Sequence, residues 1–580
     1  MVLEVLSAPK GVSSTLNARR DDCALTRRCS KEMARFPRQD SRNIRRGLVA
    51  SSPKPHMRRF GREIRGMADD ELNAVPAANG TPSSGSSTGP SAAAGALAVS
   101  ETNPRYFTVA ASDATDQRAV YLTGSHVNNN FHDGSGPGAD CAEVPEPNDF
   151  RGYLGFLKER GHNFIRLWRW EQFKSQVAGG AFHFCMTPQP WPRTGPGMAK
   201  DGKPKFDLSV FDPACFDRLR EYVTAAGNEG IYVSVMLFEG FGLHLSLAPD
   251  NVEGHPFHTA NNVNGIGIAS INDYQVLPLD ARVQALQEVY IRKVVDTLQD
   301  LPNVLYEVAN ESSGGGSVDP GFLEALGLTE PPDWGDSTQW QYWVIDFVNQ
   351  YEAQMGYARH PVGMTMQYPV RNQSKVNDVL FDSPADWISP GFDDVESPMQ
   401  DSQWSTDPPA NNGTKVIISD TDHYSPMKSD ALWAWKSFLR GHNPILYDLG
   451  IVNGVNPPDS SSGSPSFASL EPARRAMGDT LRFAREMGLI AMEPRGDLSS
   501  TGYTLANPGE EYLVLQPDEK ADPFVVRLEA NTYSIRWHNV VSRETKDADT
   551  VEVEDGGNTT FTAPFAEAGP AVLHLKRDGN

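Results

Sequence analysis

The chain has 580 residues, of which 22% are charged and 9% aromatic, a composition typical of a globular protein with room for more than one domain. The formal net charge is −22, and because residues 1–66 are basic, with 16 Lys and Arg against 6 Asp and Glu, the rest of the chain is more acidic still. So acidic a body repels phosphate backbones, which argues against nucleic acid as a partner, and no run of 18 apolar residues predicts a membrane-spanning helix.

Residues 1–100 are predicted to be a disordered extension. Residues 1–66 are rich in Arg and Ser and have no apolar periodicity, and residues 74–98 form a linker of Ala, Gly, Ser and Pro. The opening segment MVLEVLSAPKGVSS lacks the apolar stretch of a secretory signal peptide. Extracellular and cytoplasmic locations both stay open.

From residue 101 the pattern changes to alternating strands and helices, which predicts one domain over 101–495. Continuous apolar runs predict eight strands, at 119–126, 163–170, 231–240, 303–311, 361–368, 385–390, 415–423 and 443–450. Amphipathic patterns predict helices at 149–161, 213–230, 280–300, 339–355, 430–440 and 471–487. The fold class is therefore α/β, a (β/α)₈ TIM barrel. A doubly wound sheet gives the same alternation, but no GxGxxG or GxxxxGK[ST] motif supports it.

Residues 496–580 contain short alternating segments and no helical pattern. These segments are TGYTLAN, EYLVLQ, FVVRLE, YSIRWHNV, TVEVE and AVLHLKR. They predict that the barrel is followed by a small all-β sandwich domain.

Three of the five cysteines lie in the predicted folded body: Cys141, Cys185 and Cys215. No CxxC motif occurs, so neither a zinc ribbon nor a thioredoxin-like motif is predicted. Three reduced thiols are favoured over one disulfide with a spare thiol. We expect no cofactor and no bound metal.

Polar and aromatic residues follow the predicted strands, where the active site of a TIM barrel lies. In strand order they are His126; Arg166, Trp168 and Trp170; Glu239 and His244; Asn310 and Glu311; Tyr368; Trp387; Asp420, Asp422 and His423; and Tyr447 and Asp448. Aromatic rings stack on the apolar face of a pyranose, and carboxylates and amides bind its hydroxyls. This rim therefore predicts a carbohydrate ligand.

Glycoside hydrolysis needs two carboxyl groups, one on each side of the scissile bond. Glu311 after strand four and an Asp after strand seven lie on opposite sides of the predicted barrel mouth. An acid at a strand end can also cap a helix or pair with an arginine, and Trp168 and Trp170 can be packing residues. Glu311 is the stronger candidate, because Asn310 precedes it at the end of a clean apolar strand.

Several segments resemble a known family. VLYEVANES is similar to the strand-four signature of clan A glycoside hydrolases. YLTGSHVNNNF, HNFIRLWRWE, YVSVMLFEG, SPADWISP and VIISDTDHY resemble cellulase-like and apiosidase-like barrel proteins, and the C-terminal region resembles their domain of the collagen-binding type. The resemblance covers about residues 103–580.

This resemblance implies that Glu311 is the acid/base, that Asn310 contacts the substrate 2-hydroxyl and that Arg166 supports the nucleophile. The sequence departs from clan A at strand seven, where Asp replaces Glu. Asp422 stands where the related Thr-Glu-His pattern has Glu, so it is favoured over Asp420. Because Asp is one methylene shorter, both the ~5–5.5 Å carboxyl spacing of a retaining enzyme and the ~6.5–9.5 Å spacing of an inverting one stay open, although retention is favoured.

Two other functions stay open. A metal-dependent hydrolase would use His126, Asp420, Asp422 and His423 as ligands, but GSHVN lacks the His-x-His that usually begins such a site. A carbohydrate-binding barrel without catalysis would explain the missing strand-seven Glu. The sequence fixes neither the sugar nor the oligomeric state.

Overall fold

The computed structural model describes residues 93, 95–109, 117–128, 130–134, 148–177, 182–244, 251–317, 334–397, 400–424, 430–448, 451, 466–567 and 569–579. Most of the predicted N-terminal extension lies outside these residues. Its last part does not: Leu97–Val99 pairs antiparallel with Phe107–Val109, and Leu97 is buried. The division into domains stays a prediction.

Eight parallel strands form a nearly closed barrel, which confirms the predicted fold class. They are β1 (Gly124–His126), β2 (Phe164–Leu167), β3 (Tyr232–Glu239), β4 (Val304–Asn310), β5 (Val362–Thr365), β6 (Trp387–Ser389), β7 (Val416–Asp420) and β8 (Asn443–Tyr447). Neighbours follow chain order, and β8 pairs with β1. Between β1 and β2 the backbone N–H of Asn163 donates to the Thr123 carbonyl at 3.0 Å, and Thr123 N–H donates to the Asn163 side chain at 2.9 Å.

In the described part of the chain six long helices surround the barrel, each close to its predicted range. They are α1 (Phe150–Glu159), α2 (Pro213–Asn228), α3 (Ala281–Leu298), α4 (Thr338–Met355), α5 (Ala431–Leu439) and α6 (Phe467–Glu486). Five begin after a residue whose side chain accepts a first-turn N–H: Asp149, Asp212, Asp280, Asp430 and Ser466. Where the structure describes the connections after β5 and β6, it shows only short helical turns.

Additional strands near β2 were not predicted from the sequence. Lys174–Val177 and Asp133–Gly134 both pair with Phe182–Thr187, and Arg193–Met198 pairs with Pro204–Phe206. Cys185 in this region forms a disulfide bond, whereas Cys215 is a free, buried thiol. The expectation of three reduced thiols was therefore wrong. Cys141 lies outside the described residues.

An apolar cluster fills the barrel near the amino ends of its strands. It includes Leu122, Phe164, Tyr232, Leu305 and Val416. Trp387, the first residue of β6, belongs to the same cluster, and a Cβ on Gly363 of β5 would lie 1.9 Å from its ring. Apolar side chains therefore fill this end of the barrel, and a polar site is expected at the carboxyl ends of the strands.

The C-terminal region is antiparallel. The strands are β9 (Glu493–Pro494), β10 (Thr504–Asn507), β11 (Glu511–Gln516), β12 (Phe524–Leu528), β13 (Asn531–Asn539), β14 (Thr545–Val553), β15 (Gly557–Phe561) and β16 (Ala571–Arg577). Six form a sheet in the order β9-β10-β11-β16-β13-β14, and β12 pairs with β15. Tyr512, Val514 and Leu573 of the larger sheet share a core with Phe524 and Phe561 of the smaller pair.

The other face of the six-stranded sheet packs on the barrel helices. Leu513 and Leu515 of β11 belong to one apolar cluster with Trp435 of α5 and Met477 and Phe483 of α6. Helices and sheet thus bury a common core. Among the described helices, none combines the length and apolarity needed to cross a membrane.

Candidate active site

Arg166 lies at the centre of a buried charge network. It occupies β2, and its side chain is almost inaccessible to solvent. Its Nε donates to Glu307 at 2.9 Å, Nη1 donates to Asp420 Oδ2 at 2.7 Å, and Nη2 donates to Asn310 Oδ1 at 2.7 Å. Burial favours the neutral form of Arg166, but the charges of Glu307 and Asp420 outweigh this and raise its pKa. The guanidinium therefore stays charged and joins three strands.

Asp420, the last residue of β7, is committed to this network. Besides Arg166, its carboxylate contacts His126 Nε2 at 2.8 Å and accepts the backbone N–H of Asp422 at 3.0 Å. Burial alone would raise the pKa of Asp420, but His126 and Arg166 together hold it well below its ordinary value. Asp420 is therefore ionised, fully buried and saturated with hydrogen-bond donors.

Asp422 differs from Asp420 in its burial, its hydrogen bonds and the direction of its pKa shift. The chain turns at Thr421–His423, so the two side chains diverge after the strand ends. Asp422 Oδ2 lies 3.5 Å from Arg166 Nη1 and has no hydrogen-bond partner in the described part of the chain, and its side chain is 11% exposed against 0% for Asp420. Burial and the charge of Asp420 raise the pKa of Asp422 to about 6, against the opposing effect of Arg166.

Glu311 follows β4 and has an unusual backbone conformation. Its φ is 43°, in the left-handed region that a non-glycine residue seldom adopts and that recurs at functional sites. Burial and then the charge of Asp422 raise the pKa of Glu311 well above its ordinary value. Burial and the Asp422 charge therefore both favour the protonated form of the Glu311 carboxyl, whereas a pKa of about 6 leaves the neighbouring Asp422 mostly ionised at neutral pH.

Glu311, Asp422 and His423 converge on one point. A carboxylate oxygen of each acid and a ring nitrogen of His423 all lie within 4.8 Å of one another. His423 is buried, and its Nδ1 is 2.8 Å from Ser389 Oγ, whereas its Nε2 has no hydrogen-bond partner among the described residues. Burial lowers the pKa of His423 to about 3, so the imidazole is neutral at pH 7.

Aromatic side chains lie on the β1–β2–β8 side of this network. The Trp168 ring is 6.0 Å from His126, 6.4 Å from Trp170 and 5.9 Å from Tyr447, measured between centroids. Both indoles are largely buried in the barrel core, so packing is one of their roles. Neither indole N–H has a hydrogen-bond partner in the part of the chain described here. Both are therefore buried donors without an acceptor among these residues.

Glu239 ends β3 and is a third acid near the pair. Its Oε2 accepts the Gly242 N–H at 2.6 Å. Burial raises the pKa of Glu239 well above its ordinary value, and the charge of Glu171 adds to the rise. Glu171 itself is bound to His255, at 3.3 Å, and to the Tyr274 hydroxyl, at 2.7 Å. Its environment therefore favours the protonated form of the Glu239 carboxyl.

The structure brings most of the predicted rim residues together, with two exceptions. Trp387 belongs to the cluster at the opposite end of the barrel and is fully buried there, so its place on the rim is corrected. Asp448 binds Arg474 through both oxygens at 2.6 Å, as a structural ion pair. Tyr368 packs beside Phe392, and its N–H donates to the Ser312 carbonyl just after Glu311. The His244 side chain lies outside the described residues.

Glu307 belongs to this site but was not predicted from the sequence. It lies in the middle of β4 and is fully buried, and both of its carboxylate oxygens accept hydrogen bonds from Arg166. A charged residue inside the apolar run VLYEVAN was the available signal, because a buried carboxylate requires a cationic partner.

No family model and no curated protein matches the chain. Among solved structures, a glycoside hydrolase aligns over 84% of this chain and 98% of its own, at 12% identity and a TM-score of 0.49. A family 5 glycoside hydrolase from Bacteroides vulgatus aligns over 83% and 94%, at 11% identity and a TM-score of 0.47. A family 5 mannosidase from Rhizomucor miehei aligns over 68% and 99%, at 12% identity and a TM-score of 0.38. These similarities to glycoside hydrolases are distant.

Proposed function

We propose that the chain is a retaining glycoside hydrolase, with Glu311 as acid/base and Asp422 as nucleophile. The observation that carries this proposal is that one carboxyl oxygen of Glu311 and one of Asp422 lie within 4.8 Å of each other at the carboxyl end of the barrel. Retaining enzymes hold their carboxyl groups ~5–5.5 Å apart, whereas inverting enzymes leave ~6.5–9.5 Å for a water molecule. The shorter spacing supports direct attack by Asp422 on the sugar.

In the first step an oxygen of Asp422 bonds to the anomeric carbon as the glycosidic C–O bond breaks. The proton of Glu311 passes to the departing oxygen, so no alkoxide is released. In the second step the ionised Glu311 takes a proton from water, whose oxygen attacks the anomeric carbon and frees Asp422. The raised pKa of Glu311 supports the first role, and loss of the Asp422 charge during the reaction supports the switch to the second.

Asp420 serves as a positioning residue. It cannot approach a sugar without giving up bonds to Arg166 and His126, and its lowered pKa makes it a weak nucleophile. Its acceptance of the Asp422 N–H instead fixes the turn that carries Asp422. Arg166, 3.5 Å from Asp422, favours the ionised form of the nucleophile.

The substrate class is carbohydrate. Trp168 and Trp170 each combine an apolar ring with an indole N–H that lacks a partner among the described residues, which suits the mixed surface of a sugar. Asn310 lies beside Glu311 and is held by Arg166, where it can meet the 2-hydroxyl. The shorter strand-seven Asp in place of the clan A Glu is compatible with attack because the observed spacing is already short.

The test is to incubate the full-length protein with plant and algal polysaccharides and to identify the products by mass. Proton NMR of the first-formed anomer on a cleaved substrate should show retained configuration. Glu311→Gln serves as the control, because an amide of the same shape cannot donate the proton. Inverted configuration would overturn the role of Asp422, and glycan binding without cleavage by the wild-type chain would favour a non-catalytic carbohydrate-binding protein.

A further inference from the structure

We propose that Glu311, Asp422 and His423 form a Zn²⁺ site, and that zinc bound there excludes the substrate. Two carboxylate oxygens and one imidazole nitrogen are ligands that zinc takes in proteins. Their atoms lie within 4.8 Å of one another, and a tetrahedral ion with bonds of ~2.0–2.2 Å requires only modest closure of these side chains.

The environment of the His423 side chain indicates a metal site rather than only a pair of acids. Its side chain is completely buried, and Nε2 has no hydrogen-bond partner in the described chain. Nδ1 contacts Ser389 Oγ at 2.8 Å, which fixes the ring in the manner of the outer hydrogen bonds that orient metal-bound histidines. Oδ2 of Asp422 also lacks a hydrogen-bond partner there, so two candidate ligand atoms are available without breaking a bond.

The charge around the trio favours a cation. The positive charge of Arg166 is already shared by Glu307 and Asp420, at 2.9 and 2.7 Å. Asp422, 3.5 Å from Arg166 Nη1, therefore shares that one cation with both of them. Mg²⁺ prefers six oxygen ligands and is not expected to bind here, because one ligand is an imidazole.

The site differs from the ligand set considered for a metal-dependent hydrolase. His126 binds Asp420, and Asp420 also binds Arg166, so neither is available to the ion. Zinc on the trio would engage the two carboxylates that the proposed function requires for attack and proton transfer. Zinc binding rests on the geometry and charge of these residues, and only the resulting inhibition rests on the proposed function.

The test is isothermal titration calorimetry of the chelator-treated full-length protein with ZnCl₂. We expect one equivalent to bind, His423→Ala to weaken binding at least ~10-fold, and MgCl₂ to give no binding. His258→Ala is the matched control, because His258 is a partly exposed histidine outside the trio, and zinc affinity should not change. Zinc should also raise the melting temperature of the wild type, which measures binding without any substrate.

Equal affinity in wild type and His423→Ala would overturn the site. If His423→Ala fails to fold, Asp422→Asn provides the same comparison. Zinc that binds through the trio and leaves glycan hydrolysis unchanged would overturn the exclusion of substrate. Zinc binding in a protein that cleaves no glycan would keep the site while refuting the proposed function.

Discussion

Asp420→Asn and Asp422→Asn make the same chemical change two residues apart, and opposite effects on stability are expected. Asp420 accepts from Arg166, from His126 and from the Asp422 backbone, with no solvent access. The amide in Asp420→Asn keeps the shape but leaves the buried guanidinium short of one anion. Breaking a buried ion pair by removing one partner costs about 3–5 kcal/mol, and we expect the free energy of unfolding to fall by that amount.

Asp422→Asn should cost little stability. The replaced carboxylate is destabilised by burial and by Asp420, as its raised pKa shows, and one of its oxygens has no hydrogen-bond partner among the described residues. Removing the Asp422 charge also removes one of the causes that raise the pKa of Glu311. We expect a melting temperature equal to or above that of the wild type, together with a fall in kcat of roughly 10⁴-fold or more, the scale seen when hydrolases lose an essential group.

Thermal and urea denaturation measure the first effect, and initial rates at pH 7 on a cleaved glycoside measure the second. The stability difference between Asp420→Asn and wild type should also shrink as the pH falls. A carboxyl whose pKa is lowered by folding stabilises the protein above its ordinary pKa, and this contribution is lost as the pH falls through the lowered value. Wild-type stability in Asp420→Asn, or wild-type turnover in Asp422→Asn, would refute the division of roles.

Three other predictions concern the same barrel. Glu311→Gln should lower rates on substrates with poor leaving groups by roughly 10²–10⁴-fold, while azide should restore part of the turnover of an activated aryl glycoside. No azide effect and full activity would exclude the acid/base role. The pH profile of kcat/KM should fall on the acid side near pH 6, because Asp422 must be ionised, and on the alkaline side above the ordinary range of Glu, because Glu311 must be protonated; an acid limb near pH 4 would contradict this. Gly363→Ala should destabilise the protein by about 1–3 kcal/mol in denaturation experiments, because the new methyl would overlap the Trp387 ring.

The sequence predicted the barrel well because its strands are continuous apolar runs separated by amphipathic helices. The same pattern placed Asn310, Glu311, Asp420 and Asp422, since a polar residue that ends such a run must lie at the carboxyl rim. Both predictions concern the position of a residue along one strand, and that position is determined by neighbouring residues in the sequence.

Contacts across the barrel could not be predicted in this way. The partner of Glu307 is on β2, 141 residues away in the chain, and only closure of the barrel brings the two together. Trp387 was expected on the rim because the predicted strand began before it, whereas in the structure it is the first residue of β6 and points into the packed amino end. The left-handed backbone of Glu311 also has no local signal, because the residue is not glycine.

The shared core between the C-terminal sheet and the outer helices has a consequence for how such a chain can evolve. Trp435, Met477 and Phe483 would face water if β11 and β16 were exchanged for an unrelated appendage. Recombination that separates the sheet from α5 and α6 would thus create an aggregation-prone barrel, and the two must be inherited as one block. Substitutions are tolerated more easily at the exposed residues of β14, which make up most of that strand.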